Sequence, residues 1–371
     1  MMRAAVAVSK YVPFADPKVL EVLLANITTD DGIGLTTADV EKVTSIGTWF
    51  KGNTVIKEFN EFEKFTGLTP NTNTHGFFQS CTALTTIKLP PCDVFKASKS
   101  CFSGCVALES VVIPTEITQI GNYMFQNCAS LADCVLPTSI RTIGEYAFMG
   151  CTSFTGDINL PNLEETGGNF MRETFITTFR ADRINVLREY SFYNCTNLRS
   201  VELNSVMDFR KECFYNCKNI NSLIFKWENI TNISNAVFYG LTCLPEKLNL
   251  PSLSGTLGGS AFRATNVKEV EDLGSLSIVD QYAFYKALSL EKVKLPSTLT
   301  AINMQAFAYC EALKVVVCKA VTPPTLNSQG FMLARAIEAI YVPDASVDAY
   351  KAATNWAAYA DKIKPLSEYN G

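Results

Sequence analysis

Histidine is almost missing from this chain: His75 is the only one among 371 residues. It stands in the loop "NTNTHGFF", which gives no frame for a catalytic triad or a general base, and one histidine cannot build a histidine-rich metal site. Phosphate-binding loops, dinucleotide fingerprints and nucleophile elbows are also missing, and no pair of acidic residues stands out. The sequence predicts a protein that is not an enzyme and holds no metal or cofactor.

Blocks of like charge and long apolar runs are missing as well. The net charge is -4, with 18% charged residues, and phosphate binding needs a basic face, so we expect no nucleic-acid partner. No apolar run is long enough to span a membrane. The start "MMRAAVAVSKYVPF" has too short an apolar core for a secretory signal. We therefore expect no membrane span and no Sec-type export of the chain as given.

What the sequence has in quantity is one repeated phrase, of which "GEYAFMGCTSF" is a copy. Twelve of the 24 phenylalanines occupy the same register position, which we call the anchor, at intervals of 22 to 24 residues. A weaker copy lies at Phe50. The anchors predicted from the sequence are Phe78, Phe102, Phe125, Phe148, Phe170, Phe192, Phe214, Phe238, Phe262, Phe284, Phe307 and Phe331.

Apolar residues recur at fixed distances from each anchor. They stand five positions before it and six, nine and eleven positions after it. The last two alternate as in a strand, and a proline often follows them. Each repeat therefore predicts one short strand and a return segment, and the repeats must stack to bury these side chains. An extra residue in "CTSFTGDINLP" and in "GLTCLPEKLNLP" predicts local bulges, and a missing one after Phe262 predicts a tighter coil.

The phrases "IGEYAFMGCTSF", "IGNYMFQNCASLADCVLP" and "AFYKALSLEKVKLP" resemble the BspA-like leucine-rich repeats of bacterial surface proteins, and their period lies in the leucine-rich-repeat range. The fold class expected is an α/β repeat solenoid. It is a right-handed leucine-rich-repeat superhelix of about 12 to 13 coils, with short parallel strands, helical or turn return segments and helical caps at both ends. The expected domains are an N-terminal cap (1–45), the solenoid (46–343) and a C-terminal cap (344–371).

This resemblance implies adhesion to host or microbial surfaces, and similar repeats occur in phages of gut bacteria. The function expected is a non-enzymatic adhesion or recognition module. The leading interpretation is a phage virion protein of the tail or head fibre, because such a protein leaves by lysis and needs no secretion signal. The alternatives are a bacterial surface adhesin and a structural connector in a larger assembly. The partner expected is a protein or a surface glycan, with other virion or assembly subunits as a further option. The expected location is the virion or the cell surface, with the cytoplasm as the alternative.

Two short segments are expected to cover the ends of the solenoid. Residues 16–26 predict a helix that begins at Asp16 and Pro17, and residues 38–43 predict a second. The loop between them resembles an EF-hand whose ligand positions are lost, so a turn is the preferred interpretation. At the other end, Ser346 is expected to cap a helix whose apolar side includes Trp356 and continues to Ile363.

Thirteen cysteines are too many to ignore, and an odd number cannot all pair. Most stand three residues after an anchor, a position that Ala287, Leu241, Thr265 and Glu173 also occupy. A disulfide or metal column would not tolerate those residues. We therefore expect reduced thiols that pack in the core as small apolar side chains.

Two columns of residues are candidate binding surfaces. Tyrosines stand one residue after or two residues before the anchor, with Met149, Met171 and Met332 in the first register, and tyrosine is common at recognition surfaces. They could instead only cover the edge of the core. The second surface is the outward side of the strands, which also carries Val112, Val135, Val315 and Val317. The candidate binding residues are Tyr193, Tyr215, Tyr239, Tyr285, Tyr123, Tyr146, Lys88, Arg180, Glu202, Lys292 and Lys294.

Overall fold

The computed structural model describes residues 10–69, 76–92 and 99–371. The chain divides into two compact units, Met1–Ile176 and Thr177–Gly371. Within each unit, successive repeats form successive coils whose strands pair in parallel, which confirms the solenoid of short parallel strands predicted from the sequence. His75 lies outside the described residues.

The first unit contains two rows of parallel strands. One row includes the sheet β1-β2-β3, and the other is the sheet β4-β5-β7. The strands are β1 (Glu58–Phe59), β2 (Thr86–Lys88), β3 (Ser110–Val112), β4 (Gln119–Ile120), β5 (Thr142–Ile143), β6 (Thr155–Asn159) and β7 (Glu165–Thr166). Strand β8 (Phe175–Ala181) begins at the end of this unit and continues into the second.

The second unit has the same two rows. The first row contains β8-β10-β12 and then β14-β16-β18-β20-β22-β23, and the second contains β9-β11-β13 and then β15-β17-β19-β21. The strands are β9 (Val186–Leu187), β10 (Ser200–Leu203), β11 (Asp208–Phe209), β12 (Ser222–Ile224), β13 (Asn232–Ile233), β14 (Lys247–Asn249), β15 (Ser254–Leu257), β16 (Glu269–Asp272), β17 (Ser275–Val279), β18 (Lys292–Leu295), β19 (Ala301–Ile302), β20 (Val315–Cys318), β21 (Thr325–Leu326), β22 (Ala339–Val342) and β23 (Ile363–Pro365).

The sequence analysis did not predict the second row of strands, since it assigned one strand to each repeat. The apolar residue five positions before the anchor ends a short strand of its own, as Ile143 does in β5 and Val279 in β17. The alternation there covers only two to five residues, too few to stand out as a strand pattern. Each return segment is therefore built from turns and a second short strand.

The anchors form a continuous stack of rings in the core of each unit. Adjacent ring centroids lie 5.2 to 5.4 Å apart from Phe50 to Phe148 and 5.2 to 6.2 Å apart from Phe192 to Phe331. These rings are fully buried. Stacking adds roughly 0.5–1.5 kcal/mol per pair beyond the burial of area, so the column stabilises the interfaces between the coils that carry these rings.

A fixed turn holds the anchors from Phe78 to Phe307 in place. The residues two positions before and two after each of these anchors adopt left-handed backbone angles, as Tyr146 (φ 54°) and Gly150 (φ 75°) do around Phe148. The backbone N–H groups of these three residues donate to carbonyls of the next coil, for example from Phe148 to Phe170 at 2.9 Å. The turn therefore joins each coil to the next through backbone hydrogen bonds.

These bonds correct one predicted anchor. The N–H of an anchor donates to the carbonyl oxygen of the residue just before the next anchor. For example, the N–H of Phe125 donates to Ala147 O at 2.8 Å, and Phe148 is the next anchor. Since Phe148 donates to Phe170, the anchor of the next coil is Met171, and the prediction of Phe170 was wrong. Left-handed residues two positions to either side of Met171 agree with this register.

The correction has a simple physical origin. In this coil the anchor and the strand are one residue closer than usual, so the strand residue Phe179 still pairs with Val201. Thr174, not Glu173, therefore takes the cysteine position, and its hydroxyl donates to the carbonyl of Met171 at 2.7 Å. Spacing counted from phenylalanine alone could not show which of two adjacent apolar residues turns inward.

For two other irregular repeats, the pairing of strands agrees with the length predicted from the sequence. Val270, eight positions after Phe262, pairs with Val293, nine positions after Phe284, so this coil is one residue shorter. A register shift between Leu248 and Asn249 falls within the predicted bulge of "GLTCLPEKLNLP".

The cysteines after the anchors fill the core and complete a hydrogen bond. Each of six thiols lies 2.8 to 3.1 Å from the carbonyl oxygen of the preceding coil's anchor, to which it donates: Cys81, Cys105, Cys128, Cys151, Cys217 and Cys310. These six are buried, free thiols. Burial raises the pKa of Cys128 and Cys310 to about 12, so the neutral, donating form persists at physiological pH. This confirms the prediction that the cysteines at these positions pack in the core.

Two helices lie against the start of the first unit. Helix α1 (Pro17–Leu24) begins at the predicted cap, where the Asp16 carboxylate accepts from the N–H of Lys18 at 2.9 Å. The other Asp16 oxygen accepts from the N–H of Lys57 at 2.8 Å, next to β1. Helix α2 (Thr37–Glu41) has a capping box between Thr36 and Asp39. The N-terminal segment is thus bonded to the first strand of the row.

The other end is closed partly by a strand. Helix α3 (Val347–Ala352) ends earlier than predicted, and Ile363 lies in β23, where it pairs with Ile340. The hydroxyl of Ser346 donates to Val321 O at 2.7 Å instead of capping the helix. The prediction of one long helix was wrong because strand pairing satisfies the open backbone edge of β22, which a helix would leave unpaired. Trp356 is buried, and its Nε1 donates to Pro324 O at 2.7 Å.

The ring column makes a direct prediction about stability. Phe284→Ala should lower the free energy of unfolding by roughly 3–5 kcal/mol, since it removes a ring stacked on both sides. Leu288→Ala is the matched control, because that side chain is 54% exposed, and it should change stability by less than about 0.5 kcal/mol. Urea unfolding followed by circular dichroism measures both, and equal losses would contradict the role of the column.

The thiols give a second prediction. In the native protein, Ellman's reagent should react first with the half-buried Cys92 and Cys243 and should reach the buried column only after denaturation. Peptide mapping after alkylation identifies the reacted thiols. Rapid native labelling of Cys128 or Cys310 would show that the coils open more easily than this core implies.

Candidate functional site

The most ordered exposed feature of the second unit is a row of side chains one residue after the anchors. Tyr193 stacks on Tyr215 with ring centroids 5.1 Å apart, and Tyr215 stacks on Tyr239 at 5.5 Å, both with an interplanar angle of 11°. Arg263 and Tyr285 continue the same register. We call Tyr193, Tyr215, Tyr239, Arg263 and Tyr285 the tyrosine ladder.

Arg263 is the residue of this ladder that the sequence analysis missed. Its guanidinium carbon lies 5.3 Å from the ring centroid of Tyr239 and 4.7 Å from that of Tyr285. Each such cation–π contact contributes roughly 0.5–1 kcal/mol at an exposed site. The gap in the tyrosine register between Tyr239 and Tyr285 was the signal that could have identified it.

Further tyrosines support the ladder from the side. Tyr190 packs edge-on against Tyr193 at 5.7 Å, and Tyr282 packs edge-on against Tyr285 at 5.5 Å. Tyr309 lies 5.2 Å beyond Tyr285. All of these rings are half-buried, so one part of each holds the row together while the other faces solvent.

The two predicted tyrosines of the first unit form a pair of their own. The rings of Tyr123 and Tyr146 stack at 5.1 Å with an interplanar angle of 7°. Met171 was predicted to lie in the exposed register one position after an anchor. This was wrong, because Met171 is itself the anchor and Arg172 takes the exposed position. The first unit therefore has a tyrosine pair where the second has a ladder.

The outward face of the strands is occupied by ion pairs. Lys292 Nζ lies 2.8 Å from Glu269 and 2.9 Å from Glu271, while Lys294 Nζ lies 2.5 Å from Glu271. Lys247 joins the same network at 3.3 Å from Glu269. Lysine hydrogen bonds hold the pKa of Glu271 at about 2, below its ordinary value of 4.5. Lys292 and Lys294 are thus neutralised within the chain.

The remaining predicted charges on this face are also paired. Arg180 lies 3.5 Å from Glu202 and 3.6 Å from Asp182, and Lys88 lies 4.0 Å from Glu63 in the first unit. These pairs leave little uncompensated charge for a ligand.

Near the C-terminal end of this face, Val317 is not part of the outward surface predicted from the sequence. Val317 is buried, since only 1% of it is exposed. In the strand register it lies between Lys294 and Tyr341, and the ring of Tyr369 lies 5.1 Å from that of Tyr341 and 5.8 Å from the Lys294 amine. The C-terminal residues therefore lie across this part of the sheet.

Two shallow pockets of about 400 Å³ open beside the tyrosine ladder and its extension. The first lies between Tyr215 and Tyr239 and includes Asn216 and Lys218. The second is lined by Tyr309, Glu311, Leu333 and Arg335. The turns that carry the tyrosines thus also form concavities beside the ladder.

In the part of the chain that the structure describes, no cluster of three or more histidine, cysteine, aspartate or glutamate side chains has the arrangement of a metal site. No helix among those residues is both long and apolar enough to cross a membrane. This edge combines aromatic area with charged side chains, among them Lys218 at the first pocket and Glu311 and Arg335 at the second.

Comparison with known proteins gives a family match for most of the chain. The model of the BspA type leucine-rich repeat region, which has six copies, matches residues 72–169, 118–245, 172–287 and 231–353. No curated protein matches.

Several solved structures are similar. A leucine-rich repeat protein from Bacteroides ovatus is 18% identical, over 76% of this chain and 92% of that one, with a TM-score of 0.40. A leucine-rich cell surface protein from Faecalibacterium prausnitzii is 21% identical, over 71% and 83%, with a TM-score of 0.34. A leucine-rich repeat protein from T. pallidum is 24% identical, over 39% and 70%, with a TM-score of 0.35.

The ion pairs of the strand face predict a dependence of stability on pH. Because the pKa of Glu271 is lowered in the folded state, its contribution is complete above pH 4.5 and is lost as the pH falls towards about 2. Glu271→Gln should therefore reduce stability at neutral pH by roughly 0.2–1 kcal/mol per lost pair and flatten this part of the pH profile. Glu228→Gln, at an exposed residue outside the ion pairs of the described residues, is the control. Identical pH profiles for wild type and Glu271→Gln would contradict the prediction.

Proposed function

Because the chain belongs to the BspA-type leucine-rich repeat family, we propose that it is a non-enzymatic recognition module that binds a surface ligand through the tyrosine ladder of its second unit. The observation that carries this proposal is the ladder itself. Tyr193, Tyr215 and Tyr239 are stacked in one line and remain half-exposed. Large, rigid rings with polar tips give contact area at a low cost in side-chain entropy.

The ladder is a better binding surface than the strand face for an electrostatic reason. A ligand that approached Lys292 or Lys294 would have to compete with Glu269 and Glu271, which already satisfy those amines. The ladder is held by ring contacts, and the ion pairs of the described residues do not include Arg263, so its charge is not neutralised by a carboxylate. Its order is also present before binding, which lowers the entropy lost on association.

The residues outside 46–343 serve, in this proposal, to close the repeat region. Support comes from the contacts of the two ends. Asp16 bonds to the N–H of Lys57, while Trp356 is buried against Phe331 with ring centroids 6.2 Å apart. A buried tryptophan is not free to contact a ligand.

The setting of the module stays a prediction from the sequence: a phage virion, with a bacterial cell surface as the alternative. Mass spectrometry of purified virions and of cell-surface fractions separates the two. Detection of the chain in virions would support the first, and its presence only in the cell-surface fraction would contradict it.

One observation favours the connector alternative for the first unit. Val112 and Val135 are 51% and 77% exposed, and the bridge between Ser110 and Asp133 places them side by side. Mass measurement in solution tests this, since a strict monomer without partner subunits would contradict a connector role.

The proposed function predicts a ladder-dependent interaction. Full-length protein should bind at least one component of a combined glycan and extracellular-protein array. The triple variant Tyr193→Ala, Tyr215→Ala and Tyr239→Ala should bind that component at least tenfold more weakly, a loss of about 1.4 kcal/mol. Tyr123→Ala with Tyr146→Ala removes the stacked pair of the first unit and should leave binding unchanged.

Two results would contradict the proposal. The first is wild-type protein that binds nothing on the array. The second is equal binding by the triple variant, with circular dichroism showing that both proteins are folded, because the ladder would then be only a cover for the core.

A further inference from the structure

Three cations on the tyrosine ladder or beside it have no carboxylate partner. In the described chain, the ion pairs do not include Lys218, Arg263 or Lys286. Lys286 lies 5.6 and 5.7 Å above the rings of Tyr285 and Tyr309, and Lys218 lines the pocket between Tyr215 and Tyr239. The chain as a whole carries a net charge of -4, so this local excess of positive charge runs against its average.

Arg263 is surrounded by aromatic rings and has no carboxylate partner among the ion pairs of the described residues. The centroids of Tyr239, Tyr282 and Tyr285 lie 5.3, 5.7 and 4.7 Å from its guanidinium carbon. These rings stabilise the positive charge without neutralising it. A planar fork of donors matches a carboxylate, which it can bind through two parallel hydrogen bonds.

The spacing of the ladder favours a glycan over a peptide. Adjacent rings follow one another at 5.1 and 5.5 Å, whereas an extended peptide rises about 3.3 Å per residue and places side chains on one face about 6.6 Å apart. One sugar ring of a linear polysaccharide is about as long as one coil is thick, so each sugar can meet the same groups in each coil.

The groups next to the ladder suit hydroxyl-rich rings. The side-chain amide of Asn216 donates to Asn194 Oδ1 at 2.9 Å, which fixes both amides in the row beside the tyrosines. The shallow pocket between Tyr215 and Tyr239 has a volume of about 410 Å³ and includes Asn216. Fixed amides and phenol hydroxyls can donate to and accept from sugar hydroxyls.

We propose that the tyrosine ladder binds a linear acidic polysaccharide made of uronic acids, with a carboxylate of the sugar chain on Arg263. Lys218 and Lys286 bind further carboxylates along the same line. This inference rests on the proposed function and names the ligand class of that site.

The experiment is titration calorimetry of the full-length protein with three polyuronates: polygalacturonate, alginate and hyaluronan. Fully methyl-esterified polygalacturonan is the matched neutral ligand, because it keeps the sugar backbone and removes the charge. At least one polyuronate should bind, at least tenfold more tightly than the ester. Raising the salt from about 0.05 to 0.5 M should weaken binding at least tenfold, because exposed charges are screened.

Charge variants locate the site. Arg263→Gln should weaken binding at least tenfold, and Lys218→Gln with Lys286→Gln should reduce the dependence on salt. Lys351→Gln makes the same charge change at an exposed residue of α3, away from the ladder, and should bind like wild type. All of these are exposed or half-exposed positions, so the fold should persist, and circular dichroism verifies it.

Four results would overturn the inference. They are binding to none of the three polyuronates, equal binding to the methyl ester, unchanged binding by Arg263→Gln, and polyglutamate binding with the same affinity and the same need for Arg263. If instead the array finds a neutral glycan or a protein whose binding requires Tyr193, Tyr215 and Tyr239, the proposed function stands and only the acidic ligand is wrong.

Discussion

The distance between neighbouring coils is the constraint on which the rest of the structure depends. Paired parallel strands lie about 4.8 Å apart, so every side chain has a near-equivalent residue one coil above and one below. The phenylalanine rings meet this constraint by stacking at 5.2 to 5.4 Å in the first unit. Some positions have no room for a side chain: a Cβ on Gly144 would lie 2.5 Å from the backbone N of Asn122 in the preceding coil, so glycine is required there.

The same constraint orders the outer surfaces. A charge on the strand face has another residue's charge a coil away, and Lys292 is therefore flanked by Glu269 of the preceding coil. On the corner of the turn, a tyrosine has a tyrosine or an arginine as its neighbour: the tyrosine rings stack, and the arginine makes cation–π contacts. The ladder thus inherits its order from the core and needs no ligand to straighten it.

Most of the fold could be predicted from the sequence, because equivalent positions of successive coils carry similar residues at a fixed spacing along the chain. The anchors, the inward strand residues and the cysteine positions repeat often enough to identify. Met171 was not predicted as an anchor because Phe170 and Met171 are both apolar and either could occupy the position. The backbone hydrogen bond from Phe148 to Phe170 decides between them. The strand at Ile363 was not predicted because this segment occurs only once in the sequence, so no repeat pattern shows that it pairs with the edge of β22.

The candidate site was only half predictable, for a different physical reason. The tyrosine column could be found by register, but the partners of each charge could not. Lys292 and Arg263 both stand on repeated, outward positions, and sequence spacing gives them the same weight. The structure separates them, because Lys292 is held by two carboxylates while Arg263 lies among three tyrosine rings.

That difference also distinguishes a surface that maintains the fold from the surface that is proposed to bind. A neutralised ion-pair network lowers the energy of the folded chain and offers little to a ligand, since any new contact must replace an existing one. A cation among aromatic rings keeps its full charge, because a ring stabilises a cation without neutralising it. The second unit has both kinds of surface: Lys292 belongs to the first and Arg263 to the second.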